Sequence, residues 1–142
     1  MTAGLVLALT AALVAAGVHL GFRARRVREA GTPADQGFAF ESVRIPTVRG
    51  RYLFGWLLPA PDAARTVVML HGWGSNAELM LPIAAPLRQA GLNVLLLDAR
   101  NHGQSDSDTF SSLPRFAEDL GQAIAWLKRQ QPGRARQVAV LG

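Results

Sequence analysis

The run Thr66-Val67-Val68-Met69-Leu70-His71-Gly72-Trp73-Gly74-Ser75-Asn76 decides how the rest of the chain is read. Its first half is apolar and β-branched, as in a strand buried on both faces of a parallel sheet. Its second half breaks into His-Gly and a glycine-rich turn. A helical pattern follows over residues 77–90, with Leu79, Met80, Ile83, Leu87 and Ala90 at helical spacing. Asn76 is placed to cap that helix. Pro82 falls in its first turns, and Pro86 is expected to kink it by removing a hydrogen bond. A strand, a tight loop and a helix in this order deliver the loop to the carboxyl edge of a sheet, where open α/β sheets bind ligands.

Downstream, residues 93–97 form a second continuously apolar strand that runs into Asp98. A Gly-, Ser- and Asp-rich loop extends to Ser112. Phe116, Leu120, Ile124 and Leu127, with Ala123 and Trp126 close by, predict an amphipathic helix that Pro132-Gly133 ends. Residues 137–141 read as a further strand. Upstream, residues 38–45 and 52–58 read as two strands joined by a turn at Gly50, an antiparallel hairpin. Strands and helices alternate from position 66 onward, which predicts an α/β fold with a mostly parallel sheet.

Residues 3–22 carry no charged side chain, and Thr10 and His19 are their only polar ones. About 20 apolar residues in a helix span a bilayer core. Arg23, Arg25, Arg26 and Arg28 follow at once. By the positive-inside rule this flank stays cytoplasmic, so the expectation is a single-pass anchor over 1–22 with the rest of the chain in the cytoplasm. The rival reading is a signal peptide cleaved near Val14-Ala15-Ala16, which would make the protein secreted. A signal peptide places its positive charge before the apolar run, whereas here the arginines come after it. Residues 23–37, with Gly31, Thr32, Pro33, Asp35 and Gly37, read as a basic flank and linker.

Composition narrows the function classes. A chain of 142 residues holds at most one ordinary domain. It has no Cys, which excludes disulfides and thiolate metal sites. The net charge of +5 falls to +1 without the four clustered arginines, so no basic face is left for nucleic acid. His71, His102 and Asp98 lack a familiar zinc-ligand spacing, and no metal or cofactor is expected.

Three features together resemble the α/β-hydrolase fold family, in its serine hydrolase, esterase, lipase and aminopeptidase-like branch. They are a strand ending in His71-Gly72-Trp73-Gly74, a strand ending in Asp98-Ala99-Arg100-Asn101-His102-Gly103-Gln104-Ser105, and Val138-Ala139-Val140-Leu141-Gly142, which is similar to the strand entering a nucleophile elbow. The first two lie about 27 residues apart with a helix between them. The resemblance covers residues 38–142, the first half of such a domain.

The resemblance implies a role for each piece. The Trp73 backbone N–H would be one donor of an oxyanion hole, stabilising the charge that acyl transfer places on a carbonyl oxygen. Gly72 and Gly74 would permit backbone geometry that a Cβ blocks. His71, Asp98, Arg100, His102 and Gly103 would structure the two loops, with Asp98, Arg100 and His102 joined in one polar network. Phe116 and Trp126 are expected in the core, and the Trp73 side chain at the site mouth. Gly142 would open the Gly-x-Ser-x-Gly elbow, placing the nucleophile two residues past it and the acid and His later. Ser105, in a polar loop with no strand immediately before it, is not expected to substitute.

The expected function is therefore a membrane-anchored α/β hydrolase that attacks a carboxylic ester or amide through a serine. These 142 residues would be its N-terminal part, inactive alone. The strand order implied is 1-2-4-3-5 and onward, which leaves the fifth strand as an open apolar edge and lowers solubility. The expected partners are the bilayer, through residues 3–22, and a small-molecule substrate. The competing expectation is a membrane-tethered binding module without catalysis on the same scaffold.

Overall fold

The computed structural model describes residues 3–142; the first two residues of the expected 1–22 anchor lie outside the described ones. An apolar helix, α1 (Ala3–Gly21), is followed by five strands and two further helices. In chain order these are β1 (Glu41–Pro46), β2 (Tyr52–Leu58), β3 (Arg65–Leu70), α2 (Leu81–Gln89), β4 (Asn93–Leu97), α3 (Leu113–Gln130) and β5 (Gln137–Leu141). The strands form one sheet in the order β1-β2-β4-β3-β5. β1 and β2 are antiparallel, β2 is antiparallel to β4, and β3 is parallel to both β4 and β5. The sheet is thus mixed, with its parallel part centred on β3, and its order is the one the resemblance implies.

The apolar runs of β3 and β4 need burial on both faces, and alternate residues obtain it on opposite sides. Val68, Leu70, Leu95 and Leu97 pack with Phe116, Ala123 and Leu127 of α3. Val67, Met69, Val94 and Leu96 pack with Trp56 and with Leu81 and Ala84 of α2. The result is three layers, with one helix on each face. β5 is less covered, and Val140 and Leu141 are exposed at the sheet edge.

Three local expectations are adjusted. The helix expected over 77–90 begins with a separate 3-10 turn, Glu78–Met80, before α2 starts at Leu81. Pro82 then sits at the first positions of the α-helix, where a missing N–H costs nothing. The first strand pairs only from Glu41; Phe40 instead packs edge-on against Trp56, ring centroids 6.0 Å apart. The hairpin turn carries two left-handed residues in succession, Arg49 (φ 57°) and Gly50 (φ 65°).

Leu97 is fully buried beneath α3, so Leu97→Ala is expected to cost about 2–5 kcal/mol. Val140→Ala, on the half-exposed edge strand, is expected to stay within about 0.5 kcal/mol. Urea unfolding of the purified chain measures both.

Candidate active site

The parallel strands end together. β3 runs into loop 71–76 and β4 into loop 98–112, and β5 reaches Gly142 beside the end of β3. A Cβ built on Gly142 would stand 3.0 Å from the Leu70 carbonyl oxygen, so the two strand ends lie in close approach.

Asp98 joins the first two loops. It is fully buried, and its Oδ1 accepts the Ala77 N–H at 2.8 Å. Its Oδ2 accepts the Gln104 N–H, also at 2.8 Å. Buried acceptors need donors, and here two backbone amides from different loops supply them. Gly103 makes the approach possible. Its φ is +43°, and a Cβ there would collide with the Asp98 carboxylate and with Glu29 Oε1.

The two histidines hold the loops from the other side. His71 Nδ1 donates to the Gly72 carbonyl at 2.7 Å, and its Nε2 accepts the Ala99 N–H at 3.1 Å. His102 Nδ1 donates to the Arg100 carbonyl at 2.8 Å, and its Nε2 accepts the Gly74 N–H at 3.2 Å. Each ring therefore spans both loops as a neutral tautomer set by its partners. Burial pushes His71 down to about 4 and also lowers His102, which Arg26 depresses further. The rings lie 4.9 Å apart, and Phe116 and Trp73 close around them.

Asp98, Arg100 and His102, expected in a polar network that holds this loop, act on it through separate contacts. Each side chain holds a different piece of backbone or a different helix. The Arg100 guanidinium turns to α3, where Nε and Nη2 reach Asp119 Oδ1 at 2.9 and 2.6 Å. Its backbone N–H donates to Asp119 Oδ2 at 2.9 Å, and Glu118 and Asp108 complete its surroundings. Asp119 was legible in principle, as a lone acid on the apolar stripe of Phe116, Leu120, Ala123 and Leu127. Gly72 does not need to be glycine, since its φ is not positive and a Cβ there meets open space, whereas Gly74 has φ +71°.

Around the Trp73 amide the donors are unequal. Gly74 N–H is taken by His102, and Ser75 N–H by the Gly72 carbonyl. Trp73 N–H has no acceptor among the described residues. The Trp73 side chain is half exposed at the rim of a cleft of about 750 Å³, lined also by Leu70, Leu113, Phe116, Leu141 and Gly142. Ser105, by contrast, is buried. Its Oγ donates to the Asp98 carbonyl and accepts the Phe54 N–H, and both bonds hold it inside the structure.

Residues 23–37 dock against these loops. Arg26 Nη1 donates to the carbonyls of His102, Gly103 and Ser105 at 3.2, 2.7 and 2.7 Å, and Nη2 to Ser107 Oγ at 2.9 Å. Asn76 caps the 3-10 turn through Leu79 N–H and donates to the Val27 carbonyl. Glu78 accepts the amides of Ala30 and Gly31. Nothing in a run of arginines distinguishes the one that docks from those left in water, so Arg26 carried no signal of its own.

Glu29 is the outlier. Both its carboxyl oxygens are buried without a hydrogen-bond donor. Burial, with the facing Asp98 carboxylate, pushes it up to about 7. A proton on Glu29 supplies the missing donor toward Asp98.

Two outcomes are expected. Asp119→Ala leaves the buried Nε–H and backbone N–H of Arg100 without their acceptor, while Glu118 and Asp108 still face the charge, and should cost about 1–3 kcal/mol by urea unfolding. The folded state holds the Glu29 proton more tightly than the unfolded one, so stability falls as pH rises from about 4.5 to about 7. Glu29→Gln should therefore melt above the parent at pH 8, with the gap closing toward pH 4. The histidines act in the opposite sense, since neutral buried rings lose stability as pH falls from 6.5 toward about 4. Melting curves of parent and variant across this range separate the two.

Comparison with known proteins agrees with the geometry. The family model described as serine aminopeptidase, S33 (Hydrolase_4) matches residues 61–142. A polyketide transferase, af380, from Aspergillus fumigatus is 34% identical over 92 residues, covering 63% of this chain and 32% of that protein. A thiohydrolase, aneE, from Aspergillus aculeatus is 35% identical over 97 residues, covering 66% and 30%. The esterase Pf2001 of Pyrococcus furiosus superposes with a TM-score of 0.77 at 30% identity, covering 84% of this chain and 45% of that one. The chain spans about a third of the length of the curated relatives it matches. The chain belongs to the serine aminopeptidase S33 family and has the α/β-hydrolase fold.

Proposed function

We propose that these residues are the oxyanion-hole half of a membrane-anchored hydrolase that attacks a carboxylic ester or amide through a serine nucleophile. One observation carries the reading. An amide N–H without an acceptor among the described residues, that of Trp73, stands at the carboxyl end of β3, where Gly142 arrives on the neighbouring strand. In acyl transfer the oxyanion needs one donor from this loop and a second from the residue after the nucleophile. Gly142 fits the first position of the elbow, with the serine two residues further on. The neutral histidines and Asp98 are occupied in holding the loops, so they serve as positioning groups and not as the triad's base or acid. An esterase and a thiohydrolase among the relatives favour acyl-carbonyl chemistry over the aspartate-nucleophile variants of the fold.

The membrane part of the reading rests on α1. It is the one helix among the described residues long and apolar enough to cross a bilayer, and its exposed side chains have no protein layer over them. The arginine flank favours the cytoplasmic side for the body of the protein.

The reading fixes what the coding frame should hold. Past codon 142 it should continue x-Ser-x-Gly, and the encoded protein should react with a fluorophosphonate at that serine. A stop codon there supports the non-catalytic module, and an aspartate in the serine's place supports the other chemistry of the fold. Within the enzyme, Trp73→Pro removes the amide donor and should lower kcat by about 100- to 1,000-fold. Trp73→Ala keeps the N–H and should act mainly on KM. Equal kcat losses in the two variants, with unchanged melting temperatures, would remove Trp73 N–H from the oxyanion hole.

A further inference from the structure

The end of α1 is built into the rim of the cleft. The Phe22 carbonyl accepts the Ser111 N–H at 3.2 Å, which ties the end of α1 to the segment leading into α3. The Phe22 ring meets Trp73 edge-on, centroids 6.4 Å apart. Four residues on, the four hydrogen bonds of Arg26 fasten the same segment to loop 98–112. The helix therefore meets the body at a fixed place and not through a loose tether.

That place is apolar on both sides of Phe22. On one side lies the cleft of about 750 Å³, walled by Leu70, Trp73, Leu113, Phe116 and Leu141 and carrying no charged residue in its lining. On the other lies a groove of about 370 Å³ between Ala15, Val18, His19 and Phe22 and the ring of Phe110. Phe22 belongs to both. Leu113, which also lines the cleft, is 83% exposed. Residues 15–22 rise about 10 Å along a helix, so the groove begins within the depth that acyl chains occupy around a spanning segment.

We propose that the cleft is filled from the bilayer: its substrate is an acyl ester resident in the membrane, whose chain passes along Phe22, Phe110 and Leu113 and brings its carbonyl to Trp73 N–H. This deepens the proposed function and rests on it, both for the bilayer around α1 and for the carbonyl at Trp73. The occupant is a lipid acyl chain because the path starts on the side of α1 and is lined mainly by apolar side chains, with His19, His71 and Ser112 the polar ones. A water-soluble ester would have no use for the part that lies beside the helix.

The test places the chain in phosphatidylcholine vesicles containing a phosphatidylcholine with a mid-chain diazirine. After illumination, the labelled peptides are mapped. Labelling is expected on residues 15–22 and also on the cleft segments 110–117 and 70–73. Leu113→Asp, at an exposed position, should cause loss of the cleft labelling and leave that of α1 intact. Labelling confined to α1, or absent from α1 as well, overturns the proposal. Cleft labelling that Leu113→Asp does not change also overturns it, since the chain would then arrive by another route. Fluorophosphonate reactivity of the elbow serine reports separately on the hydrolase reading: reactivity without cleft labelling leaves a hydrolase of soluble substrates, and cleft labelling without reactivity leaves a lipid-binding site without catalysis.

Discussion

The buried carboxylate of Asp98 is the constraint on which the rest of the site depends. It accepts amides from Ala77 and Gln104, one at the start of the segment leading into α2 and one in the loop after β4. Removing a carboxylate from water is costly, and the cost is offset only where donors are fixed in advance. Backbone amides held at strand ends meet that need without side-chain entropy. In return they lock the relative position of two loops that sequence places about 20 residues apart, and the Trp73 amide is carried on one of them.

Around that carboxylate the charges are arranged unevenly. The histidines stay neutral because burial disfavours the imidazolium and each ring is already satisfied by one donor and one acceptor. Arg100 is matched to Asp119, Glu118 and Asp108 on the α3 side. Arg26 faces three carbonyls and no carboxylate at hydrogen-bond distance, and burial lowers its pKa below the ordinary value. Burial and the facing Asp98 push Glu29 up to about 7, well above the usual carboxylate range. Two acids share one small polar space because a glycine, Gly103, leaves room for both.

The central sheet was readable because its signals are local. The continuous apolar runs of β3 and β4, each ending in a polar loop, and the 3.6-residue stripe of α3 fix element type without reference to partners. The sheet order followed from resemblance, not from periodicity. The details that sequence did not show are of another kind. The docking of Arg26, the facing of Glu29 and Asp98 and the choice of Asp119 by Arg100 are pairings between distant residues, and composition carries no address for them. Gly72 and Gly74 illustrate the same limit. Two glycines flank one tryptophan, yet only Gly74 has the left-handed backbone that calls for glycine.

The bonds from Arg26 to loop 98–112 join residues 76 to 81 positions apart. At synthesis rates of about 5–20 residues per second, the carbonyls that Arg26 will meet are made roughly 4 to 15 s after it. During that interval its guanidinium is a bare charge directly behind α1. Afterwards it is a half-buried donor, its guanidinium engaged by the carbonyls of the loop. One side chain thus has two successive lives: first as a solvated charge beside a nascent helix, and then, once β4 and its loop exist, as the fastener that closes the finished fold over the same segment.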